Sequence, residues 1–203
     1  MAEDNNAINQ TPAADIYLAL VHHPVYNKLG DEITTTITNL DLHDISRVAR
    51  TYDASRYFVI NQLESQQALV HRMQKYWTGG KGADYNSTRH EAFSVLEVVD
   101  TLEDASRQIK EETGKEPVLV TTSAKSYKDI DPVSFKELRS QLIESGRPYL
   151  IIFGTGWGLS HKVLDQCDML LAPVHGRGDY NHLSVRSAVS IILDRLLASP
   201  WWK

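Results

Sequence analysis

Predominantly apolar runs alternate with amphipathic stretches along most of this chain. Six runs have the length and hydrophobicity of strands buried inside a sheet; they cover residues 16–21, 57–60, 93–99, 118–122, 149–153 and 169–172. Between them, apolar residues recur at helical spacing, as at Leu42, Ile45 and Ala49, where Asp41 or Asn39 can cap the helix. Further helices are predicted over residues 64–76, 102–112, 135–145 and 184–197. This alternation predicts an α/β fold, with a mainly parallel sheet and helices on both faces.

Two segments depart from the alternation. Residues 1–14 are poor in large apolar side chains and predict a flexible tail. Residues 77–90 include glycines at 79, 80 and 82 and predict a loop, which at this length is usually functional or mobile. Since no linker interrupts the remainder, residues 15–203 are expected to form a single domain.

Glycines cluster in the C-terminal third, where two apolar runs open into loops. The run at 149–153 is followed by Gly154, Gly156 and Gly158, and the run at 169–172 is followed by a loop that contains Gly176 and Gly178. Glycine lets the backbone approach a ligand closely because it has no Cβ. Ligands of parallel sheets bind beyond the carboxyl ends of the strands. The two openings therefore predict a small-molecule site built mostly from backbone.

The first glycine loop, residues 154–158, matches the common nucleotide-binding motifs poorly. A dinucleotide-binding fingerprint needs a glycine at its sixth place, where this chain has Leu159. The spacing suits the AdoMet loop of Rossmann-like methyltransferases, but those enzymes place it on their first strand, and too little chain follows here. The plain alternative is that these glycines only make tight turns.

Composition narrows the classes of protein further. A net charge of −5 argues against a general polyanion binder but leaves room for a local basic face. One cysteine, Cys167, rules out an intrachain disulfide and fits a reducing compartment. The acidic start does not resemble a signal peptide, and no run reaches membrane-spanning length, so a cytoplasmic protein is expected. The histidines show no metal-ligand spacing, so no metal is predicted.

The order of the C-terminal motifs resembles the knotted SPOUT family of AdoMet-dependent RNA methyltransferases. The resemblance covers residues 118–197 and rests on Thr121-Thr122 after a strand, Gly154-x-Gly156-Trp157-Gly158-Leu159 after the next, Leu171-Ala172-Pro173 after the third, and Leu183-Ser184 opening a helix. The stretch from His175 to Tyr180 and the single-domain length look closest to uncharacterised bacterial relatives of tRNA guanine methyltransferases.

This resemblance implies a C-terminal deep trefoil knot over about residues 118–197, with AdoMet bound inside it. The implied AdoMet-binding residues are Thr121, Thr122, Gly154, Gly156, Gly158, Leu171, Ala172, Pro173, His175 and Leu183. It also implies a homodimer, in which the last helix packs against its twin through Val185, Ala188, Val189, Ile192 and Leu196. A single buried core helix would show the same apolar pattern.

Three residues are candidates for catalysis. Asp179 could accept the proton of a ring nitrogen. The alternative, which the sequence supports nearly as well, is that Asp179 only stabilises a turn. Arg177 could bind phosphate or polarise a guanine oxygen. Arg50 matches the arginine of the first motif of the ribose-methylating branch, but Asp44 stands where that motif has asparagine. His175 and His182 could shuttle protons, although a structural role is the plainer expectation.

The segment 77–90 adds a second indication of RNA. Trp77 and Tyr85 could stack on unpaired bases, with Lys81 and Arg89 on phosphates. A lid over the AdoMet pocket would have a similar composition. The sequence thus predicts an AdoMet-dependent RNA methyltransferase acting on a base nitrogen, guanine favoured, or a ribose hydroxyl of tRNA or rRNA. The alternatives are a knotted RNA-binding module without catalysis and a Rossmann-like nucleotide-binding oxidoreductase.

Overall fold

A six-stranded parallel sheet organises the chain. A computed structural model describes residues 12–79, 81–125, 127 and 130–198. The strands of the sheet are β1 (Ile16–Val21), β4 (Arg56–Ile60), β5 (Leu96–Val99), β6 (Val118–Thr122), β7 (Tyr149–Gly154) and β8 (Met169–Leu171). They lie in the order β5-β4-β1-β7-β6-β8, and every pair is parallel. The predicted α/β class and mainly parallel sheet are confirmed.

Helices connect the strands and cover both faces of the sheet. They are α1 (Asn39–Thr51), α2 (Glu64–Gly79), α3 (Lys81–Tyr85), α4 (Ser87–Phe93), α5 (Leu102–Thr113), α6 (Phe135–Glu144), α7 (His161–Leu164) and α8 (Val185–Leu197). The cap of α1 is Thr38, whose hydroxyl accepts the Asp41 amide, rather than Asp41 or Asn39. Gly114 ends α5 with φ +72°, as its sequence position predicts.

The core forms two layers, one on each face. The larger layer packs α1, α2, α4, α6 and α8 against one face through residues such as Leu42, Leu138 and Val189. The smaller layer packs α5 and α7 against the other face through residues such as Ile109 and Val163. All six β1 side chains are buried because the two layers cover alternate residues of that strand.

A short hairpin between β1 and α1 is absent from the sequence prediction. It pairs β2 (Val25–Tyr26) with β3 (Glu32–Ile33). Asn27 closes the turn, since its side-chain oxygen accepts the amides of Leu29 and Asp31.

The prediction of a loop over residues 77–90 is wrong. In the structure α2 continues to Gly79, and the short helices α3 and α4 lead to β5. Gly82 makes this possible, because a Cβ there would lie 2.8 Å from the Tyr76 carbonyl oxygen and the Trp77 ring. The glycine that suggested a loop instead lets α3 lie directly on the end of α2.

Only part of the predicted tail falls within the described residues, since residues 1–11 lie outside them. The amides of Ala13 and Ala14 both donate to the Leu142 carbonyl, so the chain is already attached to the end of α6 before β1 begins.

Candidate active site at one edge of the sheet

The three predicted loops leave neighbouring strands at one edge of the sheet. β6 lies between β7 and β8, with Thr121 level with Ile152 and Thr122 level with Leu171. Parallel strands are about 4.8 Å apart. The carboxyl ends that carry the predicted site therefore form one continuous edge, as the sequence order implied.

Side chains join the three loops to one another. The Lys125 ammonium, after β6, donates to the Trp157 carbonyl of the glycine loop at 2.6 Å. The Asn181 amide, in the loop after β8, donates to the Ala124 carbonyl at 3.2 Å. Because the loop after β6 contacts both of the others, the three loops form one surface.

The glycine loop lies against the hairpin. The Tyr26 amide donates to the Gly158 carbonyl at 2.8 Å, and the Trp157 amide donates to the Tyr26 carbonyl at 2.9 Å. Farther on, the Lys162 ammonium pairs with Glu32 at 2.6 Å. These contacts fix the course of the loop from outside the predicted site.

Packing within the protein accounts for two of the glycines that the sequence assigned to ligand approach. A Cβ on Gly154 would lie 2.9 Å from Leu159, which folds over it, and a Cβ on Gly156 would lie 2.9 Å from the Tyr26 carbonyl oxygen. Gly156 also has φ +59°. At Gly158, with φ +108°, the nearest atom to a Cβ would be the Lys125 nitrogen at 3.8 Å. Packing within the protein therefore requires the first two, while Gly158 leaves open space.

A partly buried chain of hydrogen bonds reaches the same loop from β1. The hydroxyls of Thr35 and Thr155 are 2.5 Å apart, and His22 Nδ1 lies 3.0 Å from Thr35 Oγ1. The Thr155 hydroxyl also donates to the Val21 carbonyl, and the Thr35 hydroxyl lies 3.4 Å from the His22 carbonyl. The chain attaches the loop to the end of β1.

His22 is neutral at physiological pH. It is 1% exposed, and its burial lowers the pKa from 6.5 to about 4, although the Asp41 carboxylate acts in the opposite direction. Its Nε2 has no hydrogen-bond partner within the described residues. The next residue, His23, has different surroundings: its Nδ1 lies 2.9 Å from the Thr34 hydroxyl, and it lines a separate cleft.

An ion-pair fork connects the last helix to the first. Arg186 of α8 contacts Asp41 at 3.2 Å and Asp44 at 3.3 Å. Asp41 is 7% exposed and also accepts the Thr38 hydroxyl. Asp44, which stands in the place of the asparagine of the ribose-methylating motif, is thus bound to the helix that follows the third loop.

The side chains at the strand ends differ in accessibility. Thr121 is buried, and Leu171 belongs to the core, so each can offer a ligand only its backbone. The Thr122 hydroxyl donates to the Ile152 carbonyl at 2.9 Å. Ala172 and Pro173 are half-buried, and Leu183 is 45% exposed. Trp157, on the glycine loop, is 51% exposed and is a further apolar side chain at this edge.

The loop after β8 carries the remaining predicted residues and is open to solvent. His175, Arg177 and Asp179 are all exposed. In the part of the chain that the structure describes, neither Arg177 nor Asp179 forms an ion pair. Both charged groups are therefore available to a substrate at the edge formed by β6, β7 and β8.

Arg50 lies apart from these residues. A helix between two parallel strands runs back along them, and 13 residues of α1 extend about 20 Å. Arg50, in the last turn, therefore lies toward the opposite edge of the sheet, where it pairs with Asp53 and Glu91 at 2.9 Å. One chain alone does not bring Arg50 to Asp179.

The prediction that Trp77 stacks on unpaired bases is wrong. Its ring is 9% exposed and packs against His43 and Phe93. The Arg89 guanidinium covers the ring at 4.4 Å. Tyr85 is 88% exposed, as that prediction requires. The side chain of Lys81 lies outside the described part of the chain.

A separate cleft of about 230 Å³ lies at the same edge, but beside β1, β4 and β5. Its polar lining includes His23, Gln62, Asp100 and Lys162. The sequence motifs point instead to the ends of β6, β7 and β8, whose loops are open rather than enclosed. We favour the open edge at the ends of β6, β7 and β8 as the active site, because both glycine loops lie there, as do the two charged candidates after β8.

An adenine ring needs apolar contact, which the exposed side chains of Trp157 and Leu183 offer at this edge. Among the described residues, no group of three histidine, cysteine or acidic side chains could hold a metal. No helix within that part is long and apolar enough to cross a membrane.

Comparison with known proteins identifies relatives along nearly the whole chain. A protein of Aquifex aeolicus without an assigned function is 38% identical over 184 residues, which cover 91% of this chain and 89% of that protein. A tRNA (guanine-N(1)-)-methyltransferase of Nitratidesulfovibrio vulgaris is 42% identical over 186 residues, 92% of this chain. One from Oleidesulfovibrio alaskensis is 38% identical over 188 residues. The chain spans 43% of the length of each of these two enzymes.

Solved structures share the fold at low sequence identity. A putative methylase family protein from Neisseria gonorrhoeae has a TM-score of 0.62 at 15% identity, with 94% of this chain and 84% of that chain covered. The SpoU methyltransferase AviRb from Streptomyces viridochromogenes, solved with AdoMet, has a TM-score of 0.55 at 15% identity, with 94% and 59% covered.

A family model described as SAM-dependent RNA methyltransferase matches residues 15–198. SAM is AdoMet, so this match confirms the predicted cofactor, enzyme class and RNA substrate class, and it excludes the oxidoreductase alternative. Because it covers nearly the whole chain, the protein belongs to the SAM-dependent RNA methyltransferase family.

Proposed function

We propose that this chain transfers the methyl group of AdoMet to N1 of a guanine in tRNA, at the edge formed by β6, β7 and β8. The observation that carries the proposal is the joining of three loops from adjacent strand ends, through Lys125 and Asn181, into one surface. Guanine N1 and tRNA come from the names of the two enzymes that are 42% and 38% identical. Since those enzymes are more than twice as long, the assay below uses this chain alone.

The AdoMet pocket in this proposal is lined by residues of three strand ends. It comprises Thr121, Thr122, Gly154, Gly156, Gly158, Leu171, Ala172, Pro173, His175 and Leu183. When bound, AdoMet supplies an electrophilic methyl group on a sulfonium. The exposed side chains of Trp157 and Leu183 support an apolar contact with adenine.

Asp179 is the proposed general base. Guanine N1 carries a proton that must leave as the methyl group arrives, and a carboxylate can accept it. The exposed Asp179 belongs to the loop that leads from β8 to Leu183, on the edge where the pocket is proposed. Arg177, two residues earlier, would donate to the guanine O6 and stabilise the negative charge that develops there.

Methylation of a ribose hydroxyl is the second candidate. It is favoured by the match of Arg50 to the arginine of the ribose-methylating motif. In one chain, Arg50 lies toward the opposite edge and is bound to Asp53 and Glu91. This candidate therefore requires Arg50 from a second copy of the chain. The first candidate requires only residues that one chain already carries at the same edge.

Nucleoside mass spectrometry separates these candidates. The purified chain is incubated with AdoMet and unmodified tRNA, and the digested RNA is analysed for N1-methylguanosine and for 2′-O-methylated nucleosides. We expect N1-methylguanosine, with turnover reduced about a hundredfold in Asp179→Asn. Asp165→Asn, at another exposed position, is the control and should leave turnover unchanged.

Each other outcome has a distinct meaning. A ribose-methylated product, abolished by Arg50→Ala, would replace the guanine proposal with the second candidate. Binding of RNA and AdoMet without any methylated product would identify a binding module without catalysis. Wild-type turnover in Asp179→Asn would remove Asp179 as the base while leaving the product assignment intact.

The homodimer also remains a proposal, and it rests on the family resemblance. Three of the residues predicted for its interface, Val189, Ile192 and Leu196, are buried within their own chain. They pack in the core layer shared with α1 and α6. Sedimentation equilibrium at micromolar concentration tests the dimer, and a monomer would also remove the ribose candidate that needs a second copy.

Three further features belong to the proposal. The sequence indicates a single domain over residues 15–203 and a cytoplasmic location, and the family resemblance implies a trefoil knot over about 118–197. The single domain and the knot accord with one sheet whose last strands, β7, β6 and β8, are neighbours out of chain order. Proteolysis that leaves residues 15–203 intact would support the single domain.

A further inference from the structure

We propose that the outer face of α2, α3 and α4 binds RNA at a distance from the methyl-transfer site. The residues of this α2–α4 face are His71, Arg72, Lys75, Tyr76, Tyr85 and Arg89. The inference rests on the RNA methyltransferase function and adds a docking surface to it. Three features of the face support it: local charge, exposed aromatic rings and a cation held in place.

Positive charge is concentrated here in a chain that is negative overall. Residues 69–90 contain four lysines and arginines and one acidic residue, whereas the rest of the chain contains 17 and 25. Phosphate binding responds to local charge rather than to the net charge of −5. The segment therefore has a net positive charge that favours binding of a polyanion, whereas the rest of the chain has a net negative charge.

The cations of the α2–α4 face are not used for pairing. Among the described residues, Arg72, Lys75 and Arg89 take part in no ion pair, whereas Arg56 and Arg186 each bind two carboxylates. Arg72 and Lys75 are exposed on successive turns of α2. Their charges are free to contact phosphates.

Two tyrosines accompany these charges. Tyr76 is 51% exposed and Tyr85 is 88% exposed. Exposed aromatic rings among basic groups stack on unpaired bases while the cations bind the backbone. RNA displays unpaired bases in its loops, so RNA is the occupant that this combination of rings and cations fits.

Packed side chains lie beneath the face and position it. Arg89 lies over the buried Trp77 ring at 4.4 Å, and Trp77 contacts Tyr76 edge-on at 4.9 Å. Because Gly82 has no Cβ, α3 packs directly against the Tyr76 ring. Tyr85, at the end of α3, is therefore positioned by the same packing. Such preorganisation lowers the entropy lost on binding.

The position of the face defines its role. α2 follows β4 and extends about 24 Å back along the sheet, so its second half lies toward the edge opposite the proposed AdoMet pocket. RNA bound there would be anchored away from the nucleotide that is methylated. Loss of the face should therefore raise KM for RNA and leave kcat and AdoMet affinity unchanged.

Fluorescence anisotropy tests the proposal with a labelled single-stranded RNA of about 20 nucleotides, longer than the roughly 4–16 nucleotides of common single-strand sites. The test variants are Arg72→Gln with Lys75→Gln, and Tyr85→Ser. The control is Lys110→Gln with Lys136→Gln, which removes the same charge from α5 and α6. Circular dichroism and AdoMet calorimetry verify that every variant is folded.

We expect the Arg72/Lys75 variant to weaken binding about tenfold and to lower the slope of log K against log salt by about 1.4, the value for two phosphate contacts with a single strand. Tyr85→Ser should weaken binding about fivefold or more without changing that slope. The Lys110/Lys136 control should bind like the wild type.

Three results would overturn the docking surface: no binding of this RNA by the wild type, wild-type affinity in the test variants, or an equal loss in the control. Binding to phosphatidylserine vesicles in place of RNA would assign the face to a membrane surface and would also overturn it. A chain that binds RNA through this face but forms no methylated product would refute the proposed function alone.

Discussion

His22 should make the stability of this protein fall as the solution becomes acidic. Its burial lowers the pKa to about 4, whereas the unfolded chain titrates near 6.5. Between these values the unfolded state binds a proton that the folded state does not bind. Protonation therefore favours unfolding, and the free energy of unfolding decreases as pH falls through 6.5 and levels off below 4.

The size of the effect follows from the two pKa values. Their separation corresponds to about 3 kcal/mol of folding free energy. About 2 kcal/mol of this is lost between about pH 7 and pH 5. Such a loss is a large fraction of the roughly 5–15 kcal/mol that stabilises a typical domain.

The comparison variant is His22→Asn, measured by urea unfolding at both pH values. Asparagine keeps an amide donor for Thr35 but does not titrate, and all other groups titrate alike in the two proteins. We expect the free energy of unfolding of the wild type to fall about 2 kcal/mol more than that of His22→Asn on acidification. An equal decrease in both proteins would refute a buried, neutral His22.

Two further predictions concern contacts that hold the proposed site. Gly156→Ala should lower the free energy of unfolding by about 2 kcal/mol or more, because φ is +59° and a Cβ would lie 2.9 Å from the Tyr26 carbonyl oxygen; an unchanged urea midpoint would contradict this. Arg186→Gln should cost about 2 kcal/mol by leaving the buried Asp41 carboxylate without its cation. The control Arg107→Gln, at an exposed arginine, should lower the free energy of unfolding by under about 0.5 kcal/mol. Equal losses in the two variants would show that Arg186 stabilises the fold no more than an exposed arginine does.

The strands and the long helices could be predicted because buried elements have recognisable patterns of apolar residues. A strand that is buried on both faces of a sheet appears as an unbroken apolar run. Residues 16–21 and 149–153 are unbroken apolar runs, and both are central strands of the sheet. The adjacency of β6, β7 and β8 was not readable from hydrophobicity. It came from the order of the motifs, which only the family resemblance converted into neighbouring strand ends.

Glycines misled the prediction where they serve close packing. Gly82 suggested a loop, but it allows one helix to rest on another, and that contact depends on residues whose proximity the sequence does not reveal. Gly154 and Gly156 remain proposed AdoMet contacts, but the sequence does not reveal that a Cβ at either position would also meet Leu159 or Tyr26. In each case the decisive partner comes from the folded structure rather than from the local pattern.

The hydrogen-bonded chain from His22 to the glycine loop was also invisible in the sequence. Thr35 and Thr155 are 120 residues apart, and no spacing rule connects them. The turn of the hairpin that carries Tyr26 left a clearer signal in the sequence, since Asn27 and Gly30 are typical turn residues.

The central claim is that AdoMet binds at the ends of β6, β7 and β8, and calorimetry of two leucine variants tests it most directly. Leu183 is 45% exposed at this edge, and Leu63 is 49% exposed after β4, next to Gln62 of the separate cleft. We predict that Leu183→Glu weakens AdoMet binding about tenfold or more, because a carboxylate replaces apolar contact area, and that Leu63→Glu binds like the wild type. Wild-type affinity in Leu183→Glu, or a loss confined to Leu63→Glu, would contradict the account and place the cofactor elsewhere.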